Sequence, residues 1–78
     1  MKIKITKHAK ERMKKYSISS KQTRNCVNNP DVIAEGKNGR KIAQKRINGY
    51  VLRVIYEIEA NTYVVVTAYK AKRERYEI

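Results

Sequence analysis

Apolar positions change their spacing twice along this chain, and each change marks a new kind of element. Met1, Ile3 and Ile5 alternate with Lys2 and Lys4, the two-residue period of a short half-buried strand or an extended lead-in. From Lys7 to Lys15 the period lengthens: Ala9, Met13 and Tyr16 fall at i, i+4 and i+7 on a run of tolerable or good helix formers, with Thr6 in place to cap it. His8, Arg12 and Lys15 form a second stripe beside the apolar one. Ser17 and Ile18 break the run. Ser19 with Gln22 three residues later fits a capping box, which opens a second helix. That helix is expected to stop near Asn28, because Pro30 disfavours helical geometry at Asn29.

Past the proline the period falls to two. Residues 31–35, DVIAE, read as a short strand and Gly36 to Gly39 as a turn. RKIAQKRI then meets YVLRVIYEI across Asn48-Gly49, the preferred pair of a two-residue type I′ hairpin. That turn sets Ile47 opposite Tyr50, Arg46 opposite Val51, Lys45 opposite Leu52 and Ala43 opposite Val54, and it brings Arg40 to Glu57. A three-residue loop at Glu59, Ala60 and Asn61, with Asn61 left-handed, would put Val64, Val66 and Ala68 on the core face with Leu52, Val54 and Tyr56. Tyr50 falls on that face too. The opposite face would then carry Gln44, Arg46, Arg53, Tyr63, Thr67 and Tyr69, basic and aromatic with little aliphatic surface; a two-residue loop would invert the last strand. The expected fold is α+β, one domain over residues 1–78, with two N-terminal helices packed on a twisted antiparallel sheet of about four strands.

Charge narrows the function. The chain carries 19 Lys and Arg against 7 Asp and Glu, a net +12, and both halves are basic: 10 cations and 3 anions through Gly39, 9 and 4 after it. Such an excess costs self-repulsion and calls for an anionic partner. A membrane reading would need a long apolar span or a strongly amphipathic basic helix, and the chain has neither. MKIKITKHAKERMKK has no apolar secretion segment, so the expected location is the cytoplasm. One cysteine, Cys26, and one histidine, His8, make no soft-ligand set for zinc or an iron cluster, so no cofactor is expected. Cys26 reads as a small buried residue rather than a nucleophile.

KHAKERMKKYSIS, residues 7–19, resembles the helical opening of small domains related to RelE, and TAYKAKRERY, residues 67–76, resembles the ends of those domains and of BrnT-type toxins. The resemblance implies a RelE-like fold shared with barnase-type ribonucleases, and an endoribonuclease toxin of a toxin–antitoxin pair that cuts RNA without a metal. Its partners would be RNA, free or on the ribosome, and a small acidic antitoxin.

The residues can be set against that chemistry. Metal-free cleavage needs a base for the 2′-hydroxyl proton, cations for the attacked phosphate and an acid for the departing 5′-oxygen. Histidine is the side chain whose unperturbed pKa lies near neutrality, and His8 is the one in the chain. Arg12, one turn along the same helix face, offers a bidentate fork for phosphate. Arg53 and Tyr69 complete the catalytic candidates, Tyr69 as stacking platform or proton donor. Arg46, Lys70, Lys72, Arg73, Arg75 and Tyr76 are the nucleic-acid-binding candidates. Several have a plainer reading: His8 as a surface or capping residue, Arg12 as a solvated helix cation, Arg46 and Arg53 as cations on a solvated sheet face. The alternative class is a non-catalytic nucleic-acid-binding module on the same basic face. In either class, affinity for single-stranded RNA is expected to fall steeply with salt, with a log–log slope that counts the phosphates neutralised; a filter-binding titration across salt concentrations measures it.

Overall fold

The structure is a computed structural model that describes residues 2–75, with side chains through Glu74. Its elements are β1 (Lys2–Ile5), α1 (Lys7–Lys15), α2 (Ser20–Asn28), β2 (Val32–Glu35), β3 (Lys41–Ile47), β4 (Tyr50–Glu59) and β5 (Thr62–Lys72), with short 3-10 turns at Lys37–Gly39 and Arg73–Arg75. One sheet runs in the order β1-β5-β4-β3-β2. Among the described residues no helix is long and apolar enough to cross a membrane.

Both helices begin where the capping residues stand. The Thr6 hydroxyl accepts from the Ala9 amide, and Ser19 and Gln22 bond each other's backbone amides in a complete capping box. The buried stripe of α1 is Ala9 and Met13; that of α2 is Thr23, Cys26 and Val27. These pack on Ala43, Leu52, Val54, Tyr56, Val65 and Ala68, so the core lies between the helices and one face of the sheet. Lys45 reaches from β3 to donate to the carbonyl of Asn29 at 2.8 Å, placing a cation at the C-terminal end of α2.

The β3–β4 register is the expected one, with Ile47 opposite Tyr50, Ala43 opposite Val54 and a 2.7 Å ion pair between Arg40 and Glu57. Only Asn48 (φ 54°) has a positive φ in the turn, so it follows the φ pattern of a II′ rather than a I′ turn. At the start of β2 the Asp31 carboxylate accepts from the Arg46 amide at 2.8 Å, a bond that holds its pKa below the usual value.

The expected sheet is corrected on three points. It has five strands rather than about four, and it is mixed rather than antiparallel: β1 precedes both helices and pairs parallel to β5, Lys2 with Thr62 through Ile5 with Val65. A four-residue strand contributes too little alternation to announce a partner sixty residues away. The last loop has two residues, Ala60 and Asn61, with Glu59 paired to Thr62 and the left-handed position at Ala60 (φ 53°) instead of Asn61. This inverts the start of β5, so Tyr63 turns to the helix side and packs against Tyr56, ring centroids 5.1 Å apart. A bulge then restores the parity: Tyr56 pairs with Val65 and Ile55 with Thr67, the register skipping Val66. Val65 therefore takes the core position expected of Val64 and Val66, while Ala68 and Tyr69 keep the faces expected of them.

Two further positions differ. Tyr50 is 53% exposed rather than in the core. The face opposite the helices carries more aliphatic surface than its arginines suggest, because Val51 and Ile55 alternate onto it with Arg53; Val51 and Gln44 are buried there.

Left-handed geometry at a residue with a Cβ costs roughly 1 kcal/mol. Ala60→Gly removes that strain at the β4–β5 loop and is expected to raise stability by up to about 1 kcal/mol, less the backbone entropy a glycine adds to the unfolded chain. Urea denaturation checks it.

Candidate nucleic-acid interface

β5 has eleven residues and β1 only four, so β1 pairs with β5 no further than Val65. The chain then turns into α1, its Thr6 amide donating to the Val65 carbonyl at 3.1 Å, and α1 runs beside the remaining half of β5. Ala9 and Met13 face the core. One residue round the helix, His8, Arg12 and Tyr16 stand at i, i+4 and i+8 and face Thr67, Ala68 and Tyr69 across a pocket of about 250 Å³.

The walls of this pocket are polar and aromatic. Tyr16 and Tyr69 hold their rings 6.5 Å apart and tilted by 54°. On the neighbouring strand, Arg53 pairs in register with Tyr69 and donates from Nη1 to its hydroxyl oxygen at 2.7 Å. The Arg53 guanidinium also lies 5.6 Å from the centroid of the same ring. Lys15 places its ammonium 5.8 Å from the Tyr16 ring. Arg12 is half-buried and His8 is exposed.

A sequence-expected catalytic set of four thus falls on one place: His8, Arg12 and Tyr69 line the pocket, and Arg53 is bonded to the third. The binding candidates are more scattered. Lys70 and Lys72 line a second cavity, about 490 Å³, with Tyr50, Ala71 and Glu74. Arg46 is exposed on β3, opposite Val51, and lines neither. Arg73 opens the last 3-10 turn, its amide donating to the Gly49 carbonyl at 3.3 Å, and lines neither cavity. The side chain of Arg75 and all of Tyr76 lie outside the described residues.

Two lining residues had other readings in the sequence. Tyr16 was grouped with the apolar stripe of α1, yet its i+4 spacing from Arg12 also puts it on the pocket stripe. The hairpin alternation predicts Tyr50 on the core face, yet it is exposed while Ile47 opposite it packs against the core. Among the described residues no three or more His, Cys, Asp or Glu side chains come together in a metal-binding group.

The arrangement defines a small basic α+β protein with an aromatic, cation-lined pocket at the edge of its sheet. The sequence model of a family described as a domain of unknown function, DUF4258, matches residues 5–70, and the chain belongs to that family. The match spans both helices and strands β2 to β4 in full, β5 as far as Lys70 and the last residue of β1, and every residue lining the pocket lies inside it. No curated protein and no solved structure gives a match.

Cys26 takes no part in the pocket. It is fully buried beneath α2, its thiol directed at the Ala43 carbonyl (3.4 Å) and the Leu52 carbonyl (3.8 Å), and burial pushes its pKa up to about 12. A thiol protonated and shielded in this way is expected to resist iodoacetamide at pH 8 in the folded protein and to react at once in guanidinium chloride. Mass spectrometry of the two reactions distinguishes it from a reactive cysteine, which would label under both conditions.

Proposed function

We propose that this protein binds single-stranded RNA at the α1–β5 pocket and cleaves it there without a metal, as the endoribonuclease toxin of a toxin–antitoxin pair acting in the cytoplasm. The observation that carries the reading is the convergence of His8, Arg12 and Tyr69 on one pocket, with Arg53 bonded to the Tyr69 hydroxyl. Its second support is the +12 charge, which suits RNA as substrate and a small acidic protein as the neutralising partner. The likeness of residues 7–19 and 67–76 to RelE-related and BrnT-type toxins points the same way.

Each group has a role in the reaction. His8 takes the proton of the 2′-hydroxyl as that oxygen attacks the adjacent phosphorus. Arg12 lies within one helical turn of His8 and stabilises the charge that builds on the non-bridging oxygens. The bond from phosphorus to the 5′-oxygen breaks, and Tyr69 gives that oxygen a proton. Arg53 is a positioning residue, holding the phenol where it serves as the acid and adding to the positive field. Tyr16, facing Tyr69, gives the flanking base an aromatic surface. The products are a 2′,3′-cyclic phosphate and a 5′-hydroxyl.

A second reading has its own observation. The His8 ring is exposed, and no hydrogen bond from a described residue orients it. A histidine without an orienting partner suits a site that holds phosphate without reacting on it, as in a non-catalytic nucleic-acid-binding module.

Cleavage in EDTA separates the two. The purified protein is expected to cut single-stranded RNA, free or on ribosomes, and leave cyclic phosphate ends. His8→Ala and Arg12→Ala are each expected to slow cleavage by on the order of a hundredfold, and Tyr69→Phe to slow it while retaining RNA affinity. Intact RNA in both settings, with salt-dependent binding that still requires Arg12, would leave the binding module standing.

A further inference from the structure

The larger cavity lies off the end of α1, on the same stretch of β5. It is lined by Lys70, Ala71 and Lys72 of β5, by Tyr50 of β4 and by Glu74. Tyr50 pairs in register with Lys72, and Arg53 with Tyr69, so the two cavities are centred about three strand residues, or about 10 Å, apart. Lys70 spans the interval. It follows Tyr69 in the chain, lines the larger cavity, and its ammonium approaches the Ser17 carbonyl at 3.5 Å, next to Tyr16 of the smaller one.

Tyr50 lies outside the buried core. Its ring is 53% exposed and outside the core cluster, on a hairpin whose register is already fixed by the turn and by ladder pairs on both sides. An exposed ring between two lysines and a carboxylate has a specific use. The ring takes a base by stacking, and the ammonium groups take the flanking phosphates. Glu74 repels phosphate and accepts from an exocyclic amino group, so the base rather than the backbone is turned to that end.

We infer that the Tyr50–Lys70–Lys72–Glu74 cavity is a second nucleotide subsite, holding the base and phosphate next to the nucleotide bound between His8, Arg12 and Tyr69. The inference rests on the reading of the smaller pocket as an RNA site, and it adds a direction: the strand passes over the end of α1, with Lys70 as the cation between the two subsites. Length of ligand is then a property of the site, and a ligand confined to the first pocket does not reach Tyr50.

The test compares two ligands that the reaction cannot consume. One is a nucleoside 3′,5′-bisphosphate; the other is an oligonucleotide of four residues with 2′-deoxyribose throughout, carrying adenine or cytosine. Calorimetric titration of the wild type is expected to give tighter binding of the longer ligand. Tyr50→Ala is expected to weaken the longer ligand about tenfold and the bisphosphate hardly at all, with Tyr50→Phe restoring the difference. Lys72→Ala is expected to reduce the salt slope for the longer ligand by about one. Thermal melting of each variant verifies that it is folded. If the tetranucleotide binds with dependence on Arg12 but without dependence on Tyr50, the subsite is overturned and the first pocket stands. If the wild type binds neither ligand, the RNA reading falls and the subsite with it. If polyglutamate displaces the tetranucleotide and its own binding depends on Lys70 and Lys72 but not Tyr50, the cavity is a protein contact and the inference is overturned.

Discussion

Two different neighbours share the outer side of β5, and the site exists because they do. β1 pairs with its first four residues and α1 lies along the rest. A longer β1 would extend the ladder past Val65 and push the helix away from Thr67, Ala68 and Tyr69. With β1 ending at Ile5, Thr6 is both the residue that leaves the sheet and the cap of the helix, so the strand's end and the helix's beginning are fixed by one side chain and one amide. His8 and Arg12 inherit their position from that junction. The bulge at Val66 falls at the same level of β5, where it turns the strand so that Ala68 packs against the helix and Tyr69 lies beside Arg53. Bulges often re-aim a side chain next to a functional site, and here the re-aimed residue is the tyrosine of the pocket.

What could be read from the sequence was whatever is settled by residues close together in the chain. Thr6 and the Ser19–Gln22 pair fix both helix starts within three or four residues, and Asn48-Gly49 fixes a register that extends back to Lys41 and forward to Tyr56. The stripe at i, i+4 on α1 put His8 and Arg12 on one face without any knowledge of what faces them. The parallel pairing of β1 was not legible, since nothing in Lys2–Ile5 refers to Thr62–Val65. Nor was the β4–β5 connection: Asn61 tolerates the left-handed region better than Ala60, and the sheet overrode that preference by pairing Glu59 with Thr62. Tyr69 came out on its expected face because two departures cancelled. The shorter loop inverted the strand and the bulge inverted it back.

Part of the acidic complement is already engaged by partners within the fold. Between described residues two ion pairs form, Arg40 with Glu57 and Lys41 with Glu35, both on the β2–β3–β4 side of the sheet. Asp31 lies on that side as well, its carboxylate held by the Arg46 amide. Three of the acidic groups, Asp31, Glu35 and Glu57, are thus held by partners on or next to β3, while Glu11 lies on α1 and Glu74 lines the larger cavity.

On the proposed reading, whether capture becomes reaction depends on the imidazole. Arg12 is half-buried and lines the pocket, and Tyr69 is held through Arg53, so the groups to which the proposal assigns phosphate binding and proton donation have contacts in the fold itself. The base is not. His8 stands in the first turn of α1 as an exposed residue at the pocket, with no hydrogen bond from a described residue to orient it. A base oriented by its own substrate ties proton abstraction to correct binding: a strand seated with its 2′-hydroxyl beside His8 aligns the ring, and one seated otherwise leaves it idle. If the proposal holds, the chemistry of the pocket would be set by how the ribose enters it. That entry is governed by the aromatic pair Tyr16 and Tyr69 on one side and by the cation Lys70 at the end of the helix on the other.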